Sequence, residues 1–459
     1  MTATYLDLNA IVGATATLIG TRRGADLQAT PKLIDRVVQE ELREIGRLVA
    51  QQLFADAARA AVAQSRAEAA KRGTPLSIER SPIIRFKCVF GRVEVVSPYL
   101  RSRAPAPAPV DPTTPFWEDT PVRAARPVND ALDVRGGGMT LQLRRALADF
   151  GLDSSFEMAA AKALEHYGIT VDRTTVRSVT LKEGAVAERR ARSAPIHVAA
   201  AAVPGPPLLV EMDGSAVRTG KLVDAGGAEL SPKRKLPKRK RVTAWRDLRL
   251  GFVRRLDDEG EGPIFVGGIL PLDEVTDRLR GEALGFGWTP RTLTVRVSDG
   301  GHGVREAMDC AFSVGPHILD QPHLHHHLYE TAEAMGHDEP HRAELAAQWS
   351  ARLARGAADS VIAELARHQG KGQDRAVQLS GYLTRFQDAV TYDEFKRQGY
   401  PIGSGEIESA HKGKVQVRMK LPGTWWTPAN ANALLALRLC RANRRWAQHW
   451  RDAAQTEAA

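Results

Sequence analysis

Ile34, Val38, Leu42, Ile45, Val49 and Leu53 recur at three- or four-residue steps. That spacing predicts a long helix over 31–72 with one apolar stripe. The stripe suits either a core or a dimer interface, and core packing is the expected use. Over 83–100 the period falls to two: Phe86, Cys88 and Phe90 alternate before Gly91-Arg92, and Val93 and Val95 follow. This predicts a hairpin. Prolines at 105, 107, 109, 112, 115, 121 and 127 then favour extended backbone and a connector over 104–138.

Residues 139–193 return to helical spacing. A helix from Ser154 to Gly168, a turn at Ile169–Asp172 and a helix from Arg173 to Glu183 have the layout of a helix-turn-helix DNA reader. In that layout Arg173, Thr174, Thr175, Arg177 and Ser178 face the major groove. A helical hairpin packing on its neighbours accounts for the pattern equally well. A spacer over 194–207 ends in Pro-Gly-Pro-Pro.

From 208 the order of elements changes character. Strand one, beginning near Leu208, carries Asp213. A second strand is predicted around 247–255 and a third over 264–270. A helix begins near Leu272, a fourth strand over 293–297 leads to Asp299, and a helix follows over 303–312. A short strand at 316–319 reaches Asp320. Three hairpin-joined strands followed by alternating helix and strand predict an α/β fold with a ribonuclease H-like mixed sheet. Strands one and four lie side by side in that plan, which brings Asp213 near Asp299. Residues 328–398 are rich in Ala, Glu, Arg and Leu and predict an all-helical insertion, after which the sheet domain resumes at 399–450. One amphipathic helix is expected over 428–450, with Leu434, Leu435, Leu437, Leu439 and Trp446 among its apolar positions. The expected organisation is therefore a helix and hairpin region (1–103), a connector (104–138), a helical DNA-binding region (139–193), a catalytic domain (208–327 and 399–450) and its insertion (328–398).

Composition narrows the function class. At 459 residues the chain exceeds a single core, and 43% apolar residues support globular folding. A formal charge of +10 and a pI near 9.6 favour a polyanionic partner, nucleic acid before membrane. Cys88, Cys310 and Cys440 are too few and too scattered for a disulfide framework or a cysteine zinc site, which points to a reducing compartment. The apolar stretch from Ala10 to Gly20 lacks a basic flank and is too short to span a bilayer, so a cytoplasmic, nucleoid-associated protein is expected.

Candidate chemistry sits in three segments. Leu209-Val-Glu-Met-Asp-Gly214 and Val295-Arg-Val-Ser-Asp-Gly300 each deliver an aspartate from a strand onto a glycine, and Glu408 lies at a helix start after Gly403-Ser404-Gly405. Asp213, Asp299 and Glu408 together suit two Mg²⁺ ions, or Mn²⁺ in their place, for phosphoryl transfer, because hard cations take carboxylate oxygens. Glu406 and Glu408 lie about 200° apart on a helix, so only one faces the metals. Glu408, sharing a face with Lys412 and Val415, is the chosen ligand, and Glu406 is read as solvated or as a helix-dipole partner. His323 and His327 are four apart, which leaves open a zinc site and a zinc-dependent hydrolase; no Glu-flanked zincin pattern surrounds them. The basic run Lys233, Arg234, Lys235, Lys238, Arg239, Lys240 and Arg241 is suited to gripping phosphates without reading bases. Trp425 and Trp426 suit stacking on an unpaired base or packing in the core.

These motifs resemble those of the DDE transposases of bacterial insertion sequences, in the Mutator-related branch (the ISLre and ISKra-type groups). The resemblance rests on Met212-Asp213-Gly214, Ser298-Asp299-Gly300, Asp320-x-x-His323 and Gly403-Ser404-Gly405-x-x-Glu408-Ser409-Ala410. It continues through Val415-Gln416-x-Arg418-Met419-Lys420, Gly423-x-x-Trp426 and Ala433-x-x-Ala436-Leu437-Arg438. It covers about 208–450; the first 200 residues are similar in layout only. The resemblance implies that Asp213, Asp299 and Glu408 are the metal-binding catalytic triad. It also implies that Asp320 and His323 form a signature box, although Gln-Pro stands where an aromatic is expected. The implied partners are terminal inverted repeats and target DNA, bound by two or more copies of the chain. A domesticated, non-catalytic DNA-binding regulator keeping the fold is the remaining alternative.

Overall fold

The computed structural model describes residues 13, 34–102, 124–134, 137–193, 205–223, 240–257 and 262–456. The chain divides into two compact units, Met1–Thr180 with Ala447–Ala459, and Leu181–Trp446.

In the first unit, helix α1 (Ile34–Lys71) packs on a hairpin of β2 (Ile83–Cys88) and β3 (Gly91–Val96). The packed face is Ala50, Phe54, Ala58 and Val62, not the predicted stripe; Leu42 and Leu53 are 53% and 51% exposed. Four-residue steps bring this alanine-rich face together, and its one large side chain, Phe54, sets its ring edge-on to Phe86 at 5.2 Å. The hairpin turns two residues earlier than Gly91-Arg92, because Gly91 pairs with Cys88 and the two-residue turn falls on Val89 and Phe90. Strands β1 (Leu76–Arg80), β4 (Tyr99–Ser102) and β5 (Ala124–Ala125) form a small separate sheet, and α2 (Pro127–Leu132) closes the core over the hairpin. The connector lies mostly outside the described residues.

Helices α3 (Leu141–Asp153), α4 (Phe156–Tyr167) and α5 (Arg173–Ser193) follow. Thr140 and Ser155 cap the first two, and Gly168 ends α4 in the left-handed region at φ 64°. Asp172 then accepts the Thr174 and Thr175 N–H groups at the start of α5. Leu143, Leu147, Ala159, Ala163, Ile169 and Val176 form the shared core, while Arg173, Thr174, Arg177 and Ser178 face solvent and Thr175 is half-buried. Helix α5 continues ten residues past the predicted end. C-terminal helix α16 spans Trp446–Thr456.

The second unit is built on β6 (Leu208–Val223) and β7 (Lys240–Arg255), each sixteen residues and antiparallel throughout. Strand β8 (Ile264–Gly268) pairs with β7, β9 (Thr294–Ser298) runs parallel to β6, and β10 (His317–Leu319) parallel to β9. The sheet order is β10-β9-β6-β7-β8, mixed in direction. Leu208, Val210 and Met212 face a core closed by α6 (Leu272–Leu284) and α7 (Val304–Ala311). After β10 come α8 (Gln321–Ala334), α9 (Glu339–Ala354), α10 (Ala358–Arg367), α11 (Gln373–Arg385) and α12 (Tyr392–Arg397). Trp349 anchors this helical segment, 1% exposed with its indole N–H on Glu364 at 2.8 Å.

The chain returns through α13 (Gly405–Ala410), a π-helical turn at His411–Gln416, α14 (Val417–Met419) and α15 (Pro428–Ala442). Helix α15 lies against β8, where Asn443 donates to and accepts from the Phe265 backbone at 2.9 and 2.8 Å. The single helix expected over 428–450 is two helices, broken where Arg444 takes φ 61°. No helix among the described residues is long and apolar enough to cross a membrane.

Candidate active site

Asp213 sits in mid-strand, not at a strand end. Pairing with β9 nevertheless stops at Met212, so β6 and β7 continue past Asp213 as a two-stranded ribbon. The aspartate therefore stands where the sheet loses a neighbour, and its side chain is half-buried. Asp299 follows the last residue of the adjacent strand β9 and accepts the Gly301 N–H at 3.0 Å. Gly300 follows at φ 80°, a turn that favours glycine.

Burial pushes the Asp213 carboxyl up to about 7. The Asp299 carboxylate adds repulsion, the Gly214 N–H opposes the rise, and Glu408 and Asp320 push it further. Three sequence-distant acids thus act on one carboxyl. They share an electrostatic field, yet among the described residues no group of three or more His, Cys, Asp or Glu could hold a metal ion. The same holds for His323 and His327, so a zinc centre there has no third ligand. Their Nε2 atoms are 3.1 Å apart, and Arg375 donates to His327 Nδ1 at 3.0 Å, which leaves the His327 proton on Nε2 and directed at His323.

Glu408 is exposed on α13. The N-cap residue of that helix, Ser404, makes no side-chain cap. Two carboxylates from elsewhere do its work. Glu211, two residues before Asp213, accepts the Ile407 N–H at 3.0 Å, and Asp320 accepts the Ser404 N–H at 2.9 Å. Glu211 is 1% exposed, and burial pushes its carboxyl up to about 8 against the Ile407 hydrogen bond. Glu406 stays partly solvated and also pairs with Arg254 of β7 at 3.0 Å, a partner not expected from the sequence. The first turn of the Glu408 helix is therefore fastened to β6, β7 and the end of β10.

Asp320 also caps α8 by accepting the His323 N–H at 3.1 Å, and Gln321 N–H donates to Ile402 O at 2.9 Å. The Asp320–His323 pair is in this way a junction between α8 and the loop before Glu408. His411, three residues after Glu408, is 2% exposed and donates from Nε2 to the Asp213 carbonyl at 3.0 Å; its Nδ1 is buried without a partner among the described residues. The π turn interrupts regular helical spacing after Ala410, so Glu408, Lys412 and Val415 do not share the simple face expected. Arg438 fills the widened turn, donating to the Gly413 and Lys414 carbonyls at 2.8 and 2.6 Å.

Of the basic run, Lys240 and Arg241 are described and exposed; Lys233, Arg234, Lys235, Lys238 and Arg239 lie outside the described residues. Trp426 belongs to the core, 6% exposed with its indole N–H on Met419 O. Trp425 stays half-buried beside the ribbon. Glu211, His411 and Arg254 were not anticipated. Only Glu211 had a signal, as the one charge inside Leu208-Leu-Val-Glu-Met212.

No family model matches the chain, and no curated protein matches it in sequence. Among solved structures it is similar to a Drosophila P element transposase strand transfer complex, at 11% identity over 66% of this chain and 92% of that chain. The TM-score of 0.30 is too low for that likeness to carry any argument.

Proposed function

We propose that this chain is a DNA transposase that cuts and joins strands with Asp213, Asp299 and Glu408 on a ribonuclease H-like core. The observation that carries the reading is that the charges of Asp299 and Glu408 both help to raise the pKa of the half-buried Asp213 carboxyl. The sheet order, with β6 central and β9 parallel beside it, supports the same plan. The donor set suits a hard cation: all three groups are carboxylates, and a cation among them relieves their repulsion. A closed cage is not required, since Mg²⁺ keeps several waters and binds through few carboxylates. Asp213, Asp299 and Glu408 would hold it, and the bound ion would activate the attacking oxygen and stabilise the leaving one.

The protein groups do the positioning. Asp213 and Asp299 present carboxylates from neighbouring strands, and the fastened first turn of α13 keeps Glu408 at hand. In the first step water oxygen bonds to phosphorus at the element end and the 3′-oxygen leaves as a hydroxyl. In the second, that 3′-hydroxyl attacks a target phosphodiester and displaces its own 3′-oxygen. Arg173 and Arg177 on the solvent face of α5, with Lys240 and Arg241 on β7, suit contact with the phosphates of the terminal inverted repeats and the target. Two or more copies of the chain would assemble on that DNA.

The test uses the full chain, terminal-repeat DNA and Mg²⁺ or Mn²⁺. Asp213→Asn is expected to lower cleavage by on the order of 10²-fold or more and to leave DNA binding nearly intact. Cleavage at the parental rate by that variant would refute the reading.

A further inference from the structure

In the ribbon that β6 and β7 form beyond the sheet, β6 has a packed side, whereas Val242, Ala244 and Arg246 of β7 are exposed. Ser215, Val217 and Thr219 turn inward and are buried. The opposite face carries the cross-strand pairs Gly214–Arg249, Ala216–Asp247, Arg218–Trp245, Gly220–Thr243 and Leu222–Arg241, since directly opposed residues share a face. Trp245 is 67% exposed, the most exposed large apolar side chain among the described residues. Trp425 leans onto the same face: a Cβ at Gly220 would lie 3.0 Å from its ring, and the Arg241 guanidinium sits 6.0 Å from its centroid. Gly220 is therefore the place where the face stays flat enough to take that ring.

We propose that this face binds a DNA strand with unpaired bases. Two indoles stand within one pleat repeat of each other, about 7 Å of strand, flanked by Arg218 and Arg241. Exposed rings beside guanidinium groups are how single strands are held: bases stack on the rings while the cations take the phosphates. A blunt duplex hides its base faces in its own stack and gains nothing from Trp245. The row begins at Gly214, next to Asp213 along β6, while the Asp213 side chain leaves the opposite face with Ser215, Val217 and Thr219. This inference rests on the transposase reading, which supplies DNA as the ligand.

Fluorescence anisotropy with the full chain carrying Asp213→Asn tests it, using a labelled blunt duplex and the same duplex with an unpaired 3′ tail. The tailed DNA is expected to bind more tightly. Adding Trp245→Ala is expected to weaken the tailed complex roughly tenfold, the loss of one stacked base, and to leave the blunt complex nearly unchanged. Trp245→Phe, which keeps a ring, is expected to restore most of the affinity. Equal affinity of the Ala variant and its parent for tailed DNA, or equal weakening on both DNAs, would overturn the proposal. Cleavage by the parent chain without ring-dependent binding removes this surface alone; ring-dependent binding with no cleavage by the parent chain removes the catalytic reading alone.

Discussion

The Tyr382 hydroxyl donates to the main-chain carbonyl of Asp299 at 3.0 Å. A residue of the helical segment thereby holds the turn that presents the second acid. Its ring also meets His327 and Phe386, with centroids 5.6 and 5.0 Å away. Tyr382→Phe is expected to keep the ring packing and to cost about 0.5–1.5 kcal/mol, the net worth of one neutral hydrogen bond. Gly300→Ala is expected to cost more. A Cβ there would sit 2.2 Å from the Tyr382 oxygen, on a backbone already at φ 80°. Urea midpoints of the two variants check the ranking; a larger loss for Tyr382→Phe would contradict it.

Glu211 ties the Glu408 helix to the strand of Asp213. Glu211→Gln keeps an oxygen for the Ile407 N–H and is expected to stay near parental stability. Glu211→Ala leaves that N–H unpaired in the interior and should cost about 1–3 kcal/mol. The Ala variant is also expected to need more Mn²⁺ for half-maximal thermal stabilisation, with the Gln variant close to the parent. Identical Mn²⁺ titrations for all three proteins would show that the tie does not govern the site.

His317 gives the second unit an acid limit. It is 3% exposed, and burial lowers its pKa below the ordinary 6.5, with Arg296 and Arg305 lowering it and Asp309 opposing them. The groups facing it are Ser298 and Arg296 of β9, Asp309 and Arg305 of α7, and the Phe386 ring, with Asp388 behind Arg305. As pH falls through 6.5 the unfolded chain takes up a proton that the folded chain does not. Stability is therefore full above that pH and falls below it, by at most about 1.4 kcal/mol per pH unit for one group. Asp309 adds to the same limb at lower pH. Burial raises it, but the hydrogen bond from His317 and the charge of Arg296 outweigh that and hold it below the ordinary carboxylate value. Denaturant midpoints between pH 5 and 8 should fall less steeply toward acid in His317→Gln; an unchanged slope would rule out the assignment.

Gly184 of α5 marks a close helix contact. A Cβ there would lie 2.3 Å from the Ala433 carbonyl of α15. Gly184→Ala is expected to destabilise by about 1–3 kcal/mol through overpacking, although alanine is the better helix former. A rise in the thermal midpoint would mean that the two helices separate without cost.

Asp213 and Asp299 were legible because each follows a strand-forming run onto a glycine, and Glu408 because it follows Gly403-Ser404-Gly405 at a helix start. Their surroundings were legible unevenly. Asp213 read as a strand end because Gly214 suggests a turn, whereas β6 runs on for ten residues paired with β7 and, at Arg218–Gly220, with the Trp426 backbone. The packed face of α1 was hidden because alanines form half of it and larger aliphatic residues such as Leu42, Leu48 and Leu53 mark the exposed side. Glu406 looked free because its partner, Arg254, is 152 positions away. The capping of α13 by Glu211 and Asp320 was out of reach for the same reason: a local pattern does not show which distant carboxylate meets a backbone N–H. The π turn has no periodic signature, and it decides where His411 points.

That widened turn also sets a length constraint on the chain. One residue more than a regular helix would use is taken up between Ala410 and Val417, and Arg438 occupies the carbonyls it exposes. Removing a single residue from this stretch would let an ordinary helix close. The residues downstream would keep nearly their present direction, since the widened turn is what absorbs the extra residue, but the carbonyls that Arg438 now caps would be paired inside the helix. A chain one residue shorter here should accordingly do without the Arg438 contacts.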